Sequence, residues 1–85
     1  MNYRLNKLWK NWEYYIDSNT SILCSKPVVK GTRIAVDLIL ENLSNNYSFE
    51  DIISAFPNLN HNSILACLAF ASESVKNEII YVRAL

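Results

Sequence analysis

From Val36 onward the apolar residues of this chain recur every three or four positions; before Val36 they mostly do not. Val36, Ile39, Leu40 and Leu43 share one helical face, with Asp37 and Glu41 off it. The spacing predicts a first helix over residues 36–45. Ser44, Asn45 and Asn46 end it, being residues suited to turns and to left-handed backbone. Phe49, Ile52, Ile53 and Phe56 repeat the pattern and predict a second helix over residues 49–56, stopped by Pro57. Ser48 followed three positions later by Asp51 has the form of a capping box. Ile64, Leu65, Leu68, Phe70, Ala71 and Val75 then make a broad apolar face for a third and longest helix over residues 61–76, with Asn60 as its N-cap. Ile79, Ile80, Tyr81, Val82 and Leu85 suit two outcomes: the helix runs on to about Arg83, or residues 77–85 form a closing strand or interface segment.

The first third is patterned differently. Leu5, Leu8, Trp9 and Trp12 fit one face of a short amphipathic helix, an N-terminal extension over residues 1–11. Residues 12–16 have strand-like composition, residues 17–21 are a polar turn cluster, and Ile22, Leu23 and Cys24 are a short apolar link. Pro27 pushes Lys26 toward extended backbone, and the β-branched Val28 and Val29 suit a strand. Gly31 is the single glycine of the chain. It can take positive φ, so Lys30-Gly31 reads as a two-residue turn with Thr32-Arg33-Ile34 returning as a second short strand. Residues 12–85 thus read as one mainly α domain. Short N-terminal β-strands over residues 12–35 precede a three-helix, homeodomain-like bundle of helix–turn–helix proportions.

Size and charge sharpen this picture. A chain of 85 residues buries only roughly 60–65% of its unfolded surface. An apolar share of 51% is high for so small a body, which places some of that surface at an interface. Formal net charge is zero but unevenly spread. Residues 1–34 carry six Lys or Arg against Glu13 and Asp17, a net of +4, and residues 35–85 carry a net of −4. Such a split suits an anionic partner for one half, complementarity between subunits, or two solvated faces. Cys24 and Cys67 stand apart, and His61 is the single histidine, so no clustered metal-ligand spacing exists and no metal or cofactor is expected. No apolar run approaches 18 residues and no secretory segment opens the chain; the expectation is a cytoplasmic protein without membrane contact.

The stretch Lys26-Pro27-x-Val29-x-Gly31-Thr32-Arg33-Ile34-x-Val36 resembles the family known as domain of unknown function 433. Ser48-Phe49-Glu50-Asp51-Ile52-Ile53-x-x-Phe56-Pro57-x-Leu59 looks like that family's short acidic helix, and Leu65-Ala66-x-Leu68-Ala69-Phe70-Ala71 like its alanine-rich helix. The resemblance covers about residues 12–73. Ser25 stands where the family usually has glycine and Ala35 where it often has proline. The resemblance implies an antitoxin-like protein of helix–turn–helix type. Its implied partners are small nuclease toxins with PIN-like domains, and no catalytic residue is assigned.

Several function classes compete on the residues themselves. DNA binding needs cations at phosphates and side chains at base edges. Asn60 and Asn62 open the would-be recognition helix, yet no Lys or Arg occurs between Arg33 and Lys76. The nucleic-acid candidates are therefore Lys26, Lys30 and Arg33, with Asn60 and Asn62 reading equally as cap and polar first turn. Arg33 has a structural alternative, bonding a helix carboxylate such as Asp37 or Glu41. Glu50 and Asp51 read as charges that complement a helix dipole, and no catalytic constellation is expected. Trp9, Trp12, Tyr14, Tyr15, Ile80 and Tyr81 are candidate interface residues, since aromatics concentrate in interface cores; they also suit the home core of a small domain. A homodimer through the N-terminal strands or the C-terminal segment is expected. The leading expectation is an antitoxin-like interaction protein that binds a small nuclease toxin and its own operator. The alternative is a helix–turn–helix regulator, or a structural homodimer, without a toxin.

Overall fold

A computed structural model describes residues 11–18 and 26–84, with side chains as far as Lys76. Two short strands, β1 (Ile16–Asp17) and β2 (Val28–Val29), precede three helices, α1 (Val36–Ser44), α2 (Phe49–Ala55) and α3 (His61–Ala84). The strands pair antiparallel, Ile16 opposite Val29 and Asp17 opposite Val28. The fold is a mainly helical three-helix bundle with a small ribbon against it.

The ribbon is built from the segment around Gly31, though not as a simple hairpin. The Thr32 amide donates to the Val29 carbonyl at 3.0 Å, closing a turn in which Gly31 has φ +78°. The Thr32 hydroxyl donates to the same carbonyl at 2.8 Å and accepts from the Ile34 amide at 2.9 Å, so it braces the turn from inside. Beyond the turn, the Val29 amide reaches the Ile34 carbonyl at 2.9 Å and Val28 bridges Ala35. The return leg is this single bridge rather than the strand expected over residues 32–34, because the other edge of β2 holds β1 and α1 begins at Val36.

Residues 12–16 also differ from their strand-like composition. Residues 11–14 form one 3-10 turn, and only Ile16 and Asp17 are extended. The cause is tertiary. Trp12 packs edge-on against Phe70 of α3, with ring centroids 4.9 Å apart, and its indole Nε1 donates to Glu73 Oε1 at 2.9 Å. Pulling Trp12 onto α3 curls the chain that a β composition would have kept straight. Residues 1–10, including the expected amphipathic helix, and residues 19–25 lie outside the described residues.

The helix ends follow local chemistry. At the end of α1, Asn46 has φ +74°. The Asn46 amide donates to Leu43 and the Tyr47 amide to Asn42, the paired bonds of a Schellman cap with asparagine in the place usually given to glycine. At α2 the capping box is complete: Ser48 Oγ accepts from the Asp51 amide at 3.0 Å, and Asp51 Oδ2 accepts from the Ser48 amide at 2.9 Å. Before α3, Asn60 Oδ1 accepts from the Ser63 amide at 2.9 Å and from its hydroxyl at 3.1 Å. Ser63 is therefore buried with its polar groups satisfied.

The core takes one to three residues from each element and Leu59 from the connection before α3. Ile16, Val29, Val36, Ile39, Ile52, Leu59, Ile64, Ala66 and Cys67 are buried together. Burial pushes the Cys67 thiol up to about 12, which keeps it neutral and unreactive. Helix α3 packs on α1, α2 and β1. It runs for 24 residues, so the segment after Lys76 is helix, not strand, and Asn77 does not break it. None of the described helices is long and apolar enough to cross a membrane.

Candidate functional site

Three surfaces carry the side chains singled out in the sequence. The first is the braced turn between β2 and α1. Lys30 and Arg33 flank Gly31 and Thr32 and are exposed. Lys26 lies 3.2 Å from Asp37 in the first turn of α1, with both side chains more than half exposed. A pair so open to solvent contributes little to stability, but it neutralises one of the three cations. Asp37, one of the two carboxylates named for Arg33, is thus engaged by Lys26 instead: Arg33 follows the turn, and Lys26 lies across the ribbon where the Val36 amide meets the Pro27 carbonyl. Among the described residues Lys30 and Arg33 form no ion pair.

The second surface is the start of α3. Asn60, His61 and Asn62 are exposed there, as a recognition helix requires. The Asn60 carbonyl oxygen is committed to Ser63. His61 Nε2 lies 3.6 Å from Glu50 Oε2, and its ring tilts against Phe49 at 5.2 Å between centroids. A carboxylate therefore borders the one helix end that would enter a groove. That placement opposes phosphate approach, and no Lys or Arg of α1 or α2 offsets it. The His61–Glu50 pairing joins α2 to α3 and was not legible from sequence spacing alone.

The third surface is apolar. Trp12 and Tyr15 pack partly against the core, while Tyr14 is 75% exposed. Trp9 lies outside the described residues, and Ile80 and Tyr81 lie on α3 beyond its described side chains. The outer face of α3 adds Leu68 and Val75, 40% and 54% exposed. Leu38 on α1 and Tyr47 after it are also open. The exposure of Leu68 and Val75 was hidden in the sequence, because they sit in a helix whose apolar residues all looked like core. No group of three or more His, Cys, Asp or Glu side chains comes together among the described residues.

The family model described as protein of unknown function (DUF433) matches residues 16–71. The match begins at β1 and ends inside α3, thirteen residues before that helix does. No curated protein and no solved structure matches the chain.

Proposed function

Because this chain belongs to the DUF433 family, we propose that it is an antitoxin-like interaction subunit of the cytoplasm, which binds a small nuclease toxin and regulates through protein contact. The observation that supports this best is the pairing of family membership with open apolar side chains. Tyr14, Leu38 and Tyr47 offer the open apolar and aromatic contacts that binding interfaces favour.

Operator binding is the secondary activity in this proposal, and it falls to the braced turn rather than to α3. Lys30 and Arg33 are exposed beside a rigid backbone, whereas the start of α3 carries Glu50 and a capped Asn60. Cations on such a turn engage phosphates without reading bases. The experiment is purification of N-terminally tagged chain from its source cell. A stoichiometric small nuclease that the chain inhibits supports the proposal. A chain that purifies without one turns the reading to a regulator, and Lys26, Lys30 and Arg33 are then substituted together. Loss of DNA affinity and of its salt slope establishes the basic turn as the contact.

A further inference from the structure

Helix α3 carries two apolar stripes, and only one is used by the domain. Buried Ala66 and Cys67, half-buried Phe70 and the Trp12 partner Glu73 lie on the inner side. Leu65, Leu68, Ser72 and Val75 fall at alternating steps of three and four, and the sequence carries that spacing on to Ile79 and Val82. This is a heptad seam over three heptads, with Leu65, Ser72 and Ile79 at a and Leu68, Val75 and Val82 at d. In the same register Ala66, Cys67, Phe70 and Glu73 occupy b, c, f and b, the side away from the seam. Leu68 and Val75 are 40% and 54% exposed, and Ser72 is exposed.

Three observations say what covers it. Among the described side chains, contacts from the rest of the chain reach α3 as far as Glu73, after which eleven helical residues follow, about 16 Å of helix. A helical segment of that length draws most of its stability from a packed face. Trp12 itself meets α3 at Phe70 and Glu73, on the b and f side and away from a and d. The flanking charges then select the partner. Glu78 stands at g and Arg83 at e, five residues on. In a parallel pair of identical helices a g residue meets the e residue of the following heptad of its partner, so Glu78 of each copy faces Arg83 of the other. An antiparallel pair would set like charges together, e against e and g against g.

We infer that a second copy of this chain docks along the a and d positions of α3, forming a parallel two-helix coiled coil that begins inside the domain and continues past it. Ser72 meets Ser72 across the two-fold axis. A polar a position of this kind costs stability and pins the register. The inference stands on α3 alone and does not depend on the toxin or operator proposal.

Sedimentation of the full-length chain across the micromolar range tests it. The expected species is a dimer. Val75→Glu leaves a monomer that still unfolds cooperatively in urea while its helical circular dichroism falls, because the segment after Glu73 loses its packed face, and Leu68→Glu does the same should the first variant misfold. Glu78→Arg weakens the dimer several-fold, and adding Arg83→Glu restores it. A monomeric wild type overturns the inference and gives the seam to another protein or to residues 1–10. A dimer indifferent to both Val75→Glu and Leu68→Glu overturns it too, and failure of the double charge exchange to restore affinity overturns the parallel pairing.

Discussion

The inner and outer faces of α3 are built from the same residue types at nearly the same spacing, yet they have different fates. The inner face sinks Ile64, Ala66 and Cys67 to full burial. The outer face leaves Leu68 and Val75 to solvent. A helix apolar on one stripe needs one partner; a helix apolar on two stripes needs two. Among the described residues, α1, α2, β1 and Trp12 are set against this 24-residue helix, and they cover one of the two faces. Apolar content in a small chain therefore does not measure its core, because part of it stays on the surface.

The sharpest way to break this comparison is one truncation on each face. Ile64 is 0% exposed, so Ile64→Ala is expected to lower the unfolding free energy by about 3 kcal/mol. Leu68→Ala, measured by urea unfolding at a concentration where the chain is monomeric, is expected to cost no more than about 0.5 kcal/mol. Equal costs would show that the outer face belongs to the core after all.

A smaller effect separates the two left-handed positions that bracket α1. No heavy atom lies within 4 Å of a Cβ built on Gly31. Gly31→Ala therefore costs only the backbone strain of φ +78°, about 1 kcal/mol. Asn46 already bears a side chain at φ +74°, so Asn46→Gly is expected to stabilise by a few tenths of a kcal/mol. Thermal unfolding midpoints should move in opposite directions; a shared direction would mean that side-chain contacts, not φ, govern one of the sites.

The smallest effect at accessible pH lies on the inner face again. Burial raises the Cys67 thiol from 9.0 to about 12. The folded state therefore favours the neutral thiol, and its contribution is complete below pH 9 and declines as pH rises from there toward 12. Relative to Cys67→Ala, the wild-type midpoint should fall just above pH 9 and run parallel below it. Equal slopes on both sides of pH 9 would place the thiol in contact with water.

Much of the fold was legible because its signals are local. Ser48 with Asp51, Asn60 before α3, Pro57 after α2 and the positive φ of Gly31 each act within a few residues, and each appears where spacing and residue type placed it. The readings that shifted all depended on distant partners. Residues 12–16 look like a strand until Trp12 meets Phe70 and Glu73, and Asp37 is one of two candidate partners for Arg33 until the ribbon brings Lys26 to it. The candidate site was less legible than the fold. Asn60 and Asn62 could be placed on α3, but the carboxylate beside them arrives from α2.

The sequence by itself determined the helices, their caps, the turn at Gly31 and membership of a family across residues 16–71. Those follow from backbone geometry and short-range hydrogen bonding, which neighbouring residues control. Only the tertiary structure decided which apolar stripe of α3 is core and which is surface, and which cations stay unpaired. Burial and ion pairing are properties of what packs opposite a side chain, and nothing within one helix specifies its opposite wall.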